Sequence, residues 1–142
     1  MGGRAPPQAA VMQAKHLLVV DDDPSILELI ARVLTSPTLR VSTARRVTVA
    51  RDMLTRDHFD LILTDARIPG ETGLQLAETA RELGIATIVM TGDPEWVAAR
   101  GVFPDFCIAK PFDVKALVTL VSSRLGLDVA PPRTRPLMAN EG

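Results

Sequence analysis

Five short apolar runs, each followed by a segment with helical spacing, constrain this chain more than any other feature. The runs cover residues 16–21, 39–44, 60–65, 86–91 and 106–110 and are rich in aliphatic and β-branched residues. After the first run, Ile26, Leu27, Ile30, Val33 and Leu34 fall on one helical face. That helix opens with Asp23-Pro24, a capping carboxylate followed by proline at the first helical position. Residues 47–54, 74–83 and 114–125 read the same way, and Gly84 and Gly126 stand where C-terminal caps belong. The segment 94–100 is the weakest helix, confined between Pro94 and Gly101. Five such strands, each followed by a helix, form a repeating βα pattern that implies a mostly parallel sheet covered on both faces. Right-handed crossovers make a doubly wound α/β fold the economical arrangement. Ligands of such a sheet bind beyond the carboxyl ends of the strands.

Composition limits the chain to one domain and removes several function classes. Its 142 residues are 46% hydrophobic and 23% charged, which suits one soluble globular core. Sixteen basic against seventeen acidic residues give a net charge of −1, so bulk charge makes no case for nucleic acid or membrane. The single cysteine, Cys107, excludes an intrachain disulfide and a cysteine-based zinc site. No apolar run is long enough to span a bilayer. Residues 1–14 hold Gly2, Gly3, Pro6 and Pro7 but no apolar signal region, and residues 128–142 have prolines without periodicity. Flexible tails are expected over 1–14 and 128–142, around a folded domain at 15–127, with the cytoplasm as default location.

The expected strand ends carry the chemistry. The first run ends in Asp21-Asp22-Asp23, the third in Asp65, the fourth in Thr91 and the fifth in Lys110 before Pro111. Singly, each has an ordinary structural explanation: a cap for Asp23, a strand-end hydroxyl for Thr91, a solvated charge for Lys110. Together, on one edge of one sheet, they form a cluster. Two carboxylates about 4 Å apart repel by roughly 4 kcal/mol at an effective dielectric near 20. Lys110 supplies one positive charge, and the remaining oxygen-rich negative charge suits a hard divalent cation such as Mg²⁺. A cation, an ammonium and a hydroxyl around one carboxylate make a cradle for phosphoryl transfer onto that carboxylate. His16 and His58 fall at a strand start and in a loop and read as neither ligand nor catalyst. No Walker loop or Gly-x-Gly-x-x-Gly motif is present, and Gly70-x-x-Gly73 reads as a turn after Pro69.

The segments Leu17-Leu18-Val19-Val20-Asp21-Asp22-Asp23-Pro24, Leu61-Ile62-Leu63-Thr64-Asp65, Ile68-Pro69-Gly70, Met90-Thr91-Gly92 and Lys110-Pro111-Phe112 resemble the receiver domain of two-component response regulators of the single-domain, chemotaxis type. The resemblance covers about residues 15–127. It implies a flavodoxin-like sheet of order 2-1-3-4-5 with helices on both faces. Asp65 would be the phosphoacceptor, with Thr91 and Lys110 holding phosphoryl oxygens. Asp21, Asp22, Asp65 and the backbone carbonyl of Arg67 would hold Mg²⁺ or Mn²⁺. The peptide before Pro111 is cis in the family. A sensor histidine kinase or a histidine phosphotransfer protein would be the donor, and a downstream protein the target. No nucleic-acid-binding element and no enzymatic turnover beyond self-catalysed phosphorylation and dephosphorylation are expected of this sequence.

Three positions depart from the family pattern. Cys107 stands three residues before Lys110, where the family has an aromatic ring that moves as the switch operates. The interval from Thr91 to Lys110 is short, which predicts an abbreviated fourth helix, and Glu71-Thr72 replace the usual small or acidic residues before Gly73. Coupling would then run through Phe103, Phe106 or the segment after Pro94, where Trp96, the only tryptophan, stands. Two rival readings remain: a small phosphatase of haloacid-dehalogenase type using Asp21-x-Asp23, and a receiver-like module that binds partners without phosphorylation. The first would turn over a generic phosphate ester, whereas a receiver is labelled stoichiometrically.

Overall fold

A computed structural model describes residues 14–100 and 106–127. The expected tails lie outside these residues, apart from Ala14. Five strands form one parallel sheet: β1 (Lys15–Val20), β2 (Leu39–Ala44), β3 (Leu61–Asp65), β6 (Ala86–Thr91) and β7 (Phe106–Ala109), in the order β2-β1-β3-β6-β7. Counted along the chain, that is the expected 2-1-3-4-5. A two-residue antiparallel pair, β4 (Arg67–Ile68) and β5 (Glu71–Thr72), follows β3. The helices are α1 (Pro24–Leu34), α2 (Val47–Arg56), α3 (Gly73–Glu82), α4 (Pro94–Ala99) and α5 (Val114–Leu125). No helix among the described residues is long and apolar enough to cross a membrane.

The central strands β1, β3 and β6 are mostly apolar and buried because both faces of the sheet are covered there, whereas edge strand β2 carries Arg40, Ser42 and Thr43. Successive strand residues point to opposite faces. Leu17, Val19, Leu61, Leu63, Ile88 and Met90 join Leu27, Ile30 and Leu34 of α1 and Leu117, Val121 and Leu125 of α5 in one buried cluster. Leu18, Val20 and Ile62 meet Val47 and Ala50 of α2 and Leu76 and Ala80 of α3 on the other face. Val89 continues that second face toward Ala66, Leu74, Ala77 and Val97 of α4. The one-residue alternation between clusters fixes the register. A slip by one residue would exchange the two faces of a strand.

Helix ends follow their local chemistry. Asp23, Thr72, Asp93 and Asp113 each accept a backbone N–H at a helix start. Gly126 closes α5 in the left-handed conformation, as its missing Cβ allows. Gly84 adopts positive φ one residue past the cap of α3, which is Leu83. α4 has six residues, the abbreviation that the short Thr91–Lys110 interval predicts.

Candidate phosphoacceptor site

The site lies beyond the carboxyl ends of β1, β3, β6 and β7, where β1 and β3 are neighbours in the sheet although β2 lies between them along the chain. Asp21 follows β1 directly. Its N–H bonds the Ala44 carbonyl, and its side chain is fully buried. One oxygen of Asp21 accepts the Asp23 N–H at 3.0 Å, and the other accepts Lys110 Nζ at 2.9 Å. Asp65 closes β3 with its side chain 15% exposed, and Lys110 Nζ stands 3.4 Å from its Oδ2. Asp22 is exposed beside them. Oxygens of Asp21, Asp22 and Asp65 lie within 4.8 Å of one another. The three acidic residues named from sequence are therefore one cluster, and Lys110 reaches two of its members.

The cluster is electrostatically incomplete. Burial holds the Asp65 carboxyl above its ordinary value, and the Asp21 charge pushes the same way against Lys110 and the Arg67 N–H. For Lys110, burial acts to lower the value, but the hydrogen bond and charge of Asp21, with the charge of Asp65, outweigh it and raise it. One ammonium thus faces three carboxylates. An all-oxygen donor set with surplus negative charge fits a hard divalent cation. Asp21, Asp22 and Asp65 are the residues that would hold it.

Thr91 ends β6, 4% exposed, and its Oγ1 accepts the Asp93 N–H at 2.9 Å. That bond uses an acceptor lone pair and leaves the hydroxyl hydrogen to donate. Lys110 and Pro111 are joined by a cis peptide bond. Arg67 donates its backbone N–H to Asp65 Oδ1 at 3.4 Å. Its guanidinium stands 3.6 Å from Asp93 Oδ2 and 4.3 Å above the Trp96 ring.

Two features escaped the sequence reading. Gly73 is more than a turn residue, because a Cβ there would lie 1.9 Å from the Asp65 carbonyl oxygen and 2.7 Å from Thr64 Oγ1. Glycine lets α3 begin directly against the strand end that carries Asp65. The signal available was Thr72-x-x-Gln75, a helix-start pattern that places Gly73 at the first turn. The indole of Trp96 is the second. Both Arg67 and Arg100, the latter at 4.0 Å, stand over its ring.

The two histidines lie at the opposite end of the sheet. Buried His16 places Nδ1 3.1 Å from the His58 carbonyl and Nε2 2.7 Å from Ser42 Oγ. A carbonyl only accepts, so in the neutral ring Nδ1 carries the hydrogen and Nε2 accepts from Ser42. Burial, followed by the Arg40 charge, holds His16 below the usual histidine value, against the His58 carbonyl, Asp57 and Asp60. Cys107 is a free thiol whose pKa desolvation raises. Phe103 and the side chain of Phe106 lie outside the described residues.

Comparison with known proteins gives the family. The model of the response regulator receiver domain matches residues 17–122. The chain belongs to the response regulator receiver family. This receiver is 36% identical over 122 residues to response regulator protein PilR of Pseudomonas aeruginosa, covering 82% of the chain and 27% of PilR. It is 35% identical over 117 residues to transcriptional regulatory protein GlrR of Escherichia coli K12, covering 78% and 26%. With transcriptional regulatory protein FixJ of Azorhizobium caulinodans the figures are 34% over 113 residues, 76% and 54%. The receiver thus spans about a quarter to a half of the length of these relatives. A CheY-like receiver domain protein from Methanospirillum hungatei superposes with a TM-score of 0.71 at 27% identity, over 80% of this chain and 94% of that one. The signal receiver domain of an HD-domain protein from Pseudomonas fluorescens shares the fold at a TM-score of 0.73 and 24% identity, over 82% and 90%.

Proposed function

We propose that this receiver takes a phosphoryl group onto Asp65 from a phosphohistidine on a sensor histidine kinase or a histidine phosphotransfer protein. The carrying observation is the half-buried Asp65 carboxylate, 3.4 Å from Lys110 Nζ and clustered with Asp21 and Asp22. An Asp65 oxygen attacks phosphorus, the P–N bond breaks, and its electron pair leaves with the donor imidazole. Lys110 and the Thr91 hydroxyl would hold two phosphoryl oxygens. Asp21, Asp22, Asp65 and the Arg67 carbonyl would hold Mg²⁺ or Mn²⁺, which when bound would offset the phosphoryl charge and act as a Lewis acid. Asp21 also orients Lys110 through their 2.9 Å bond.

The product is a change of charge, which biases a two-state protein toward or away from a downstream protein target. This is signalling stoichiometry rather than turnover of a separate substrate, and its setting is the cytoplasm. Nucleic-acid contact belongs to no part of the reading. Incubation with Mg²⁺ and acetyl phosphate should add one phosphoryl group by mass, lost in Asp65→Asn and in the presence of a chelator. Undiminished label in Asp65→Asn would overturn the assignment. Continuous hydrolysis of a generic phosphate ester would favour the phosphatase reading.

A further inference from the structure

We propose that Ser42 and His16 are a nucleophile and its base, and that Ser42 Oγ on edge strand β2 takes an acyl group from an anionic donor of the acyl phosphate class. Ser42 Oγ lies 2.7 Å from His16 Nε2. His16 Nδ1–H is given to the His58 carbonyl at 3.1 Å, so Nε2 accepts and the serine hydroxyl donates. That is the direction of proton transfer that a nucleophilic serine requires, with the base itself oriented by a further group. The imidazole has little freedom to turn away. Its ring lies on buried Phe59, with centroids 4.1 Å apart. The His16 N–H donates to Asp60 Oδ2 at 2.8 Å, and the Asp60 N–H returns to the His16 carbonyl at 2.8 Å. Access follows from strand order, because among the described residues β2 pairs only with β1 in the sheet. The N–H groups of Lys15 and Asp21 bond the carbonyls of Thr38 and Ala44, which fixes the alternation along β2. Arg40, Ser42 and Ala44 turn their backbone groups toward β1, while Val41 and Thr43 turn theirs to the open edge. The Thr43 N–H thus faces that edge one residue from the nucleophile, and Ser42 is itself partly exposed. After burial, the charge of Arg40 is what holds His16 below its usual value, so this exposed guanidinium stands near the imidazole. A cation there favours a donor whose leaving group is anionic.

Ser42 Oγ attacks the acyl carbon as its proton passes to His16 Nε2. The bond from that carbon to the phosphate oxygen breaks, its electron pair leaves with phosphate, and the proton follows from Nε2 to the phosphate. The product is an O-acyl serine that no longer donates to His16. No phosphoryl group is transferred, so the reaction is independent of Asp65 and the acidic cluster. Acetyl phosphate, given to the full chain in a chelator at about pH 7.5, above the histidine range, is the test. Mass spectrometry should find one acetyl group on Ser42, absent in Ser42→Ala. In His16→Gln it should form at least about a hundredfold more slowly, the lower end of what a positioned base contributes. The wild-type rate should be level above the ordinary histidine value near 6.5 and fall as the pH drops through the lowered one. Arg40, His58, Asp57 and Asp60 are the groups that face His16 and shape this profile. The profile needs no variant, so it decides the question if His16→Gln does not fold. Acetyl groups on lysines alone, equal labelling of Ser42 in His16→Gln, or a rate level through the histidine range would overturn the assignment. Phosphorylation of Asp65, read separately with Mg²⁺, stands or falls on its own.

Discussion

Replacing Lys110 with methionine tests whether the acidic cluster is held together by one charge. Lys110 Nζ is 2.9 Å from Asp21 Oδ2 and 3.4 Å from Asp65 Oδ2. At an effective dielectric near 20 these contacts are worth about 6 and about 5 kcal/mol of gross attraction. Without them, carboxylate oxygens within 4.8 Å of one another remain, each ionised pair repelling by about 3.5 kcal/mol or more. The lysine side chain is 24% exposed, so water enters and softens the change. A loss of about 3 kcal/mol follows, the lower end of what removing one partner of a buried pair costs. For a domain of this size, that lowers the unfolding midpoint by roughly 10–15 °C. Differential scanning calorimetry at pH 7 in a chelator measures it. Two controls separate charge from packing. Saturating Mg²⁺ should recover most of the loss, since a ligand at about 100 times its Kd stabilises by about 2.7 kcal/mol. Lowering the pH toward about 4, near the ordinary carboxyl value, should also narrow the gap. A midpoint within about 3 °C of wild type, or a deficit indifferent to both Mg²⁺ and acid, would refute the electrostatic argument.

Asp65→Asn should be more stable than wild type at pH 7 without metal. The folded pKa of Asp65 is raised, so its ionisation burdens the folded state above that value, by about 1.4 kcal/mol for each unit of elevation; the burden fades as pH falls through it, and urea unfolding should show the two proteins converging near the ordinary carboxyl range. Gly73→Ala should cost about 3 kcal/mol, at the upper end for overpacking, and impair Asp65 labelling, because its Cβ collides with the Asp65 carbonyl. Denaturant midpoints and label stoichiometry measure both effects. His16 has a lowered folded pKa, so the unfolded chain binds its proton first and stability falls as pH drops through the ordinary histidine value near 6.5. His16→Gln should flatten that slope between pH 7.5 and 5 in urea titrations (roughly the histidine range), and an unchanged slope would place the acid sensitivity elsewhere.

The fold and most of the site were legible because their signals are local. The strands are short, largely apolar runs, and Asp21, Asp65, Thr91 and Lys110 stand at or just beyond the ends of four of them, which marks them as strand-end groups. What brings them together is the crossover rule, which is independent of their identity. The β4–β5 pair left no periodicity to read, since each strand has two residues. α2 begins at Arg46 without a side-chain cap, so its start carried no capping motif. Gly73 was read as a turn because close approach to a backbone carbonyl is a property of tertiary placement. Trp96 had the same difficulty. A lone tryptophan in a weak helix does not reveal that guanidiniums from two different segments will meet on it.

Asp93 divides one carboxylate between two tasks, with Oδ1 starting α4 and Oδ2 facing Arg67. A short helix of six residues has few other means of fixing its first turn. The start of α4 and the link between the loops after β3 and β6 therefore share one carboxylate and cannot drift independently. A lineage that rewrites this end of α4 also releases Arg67 from the loop beside it. Conversely, a change at Asp93 that frees Arg67 also uncaps the helix.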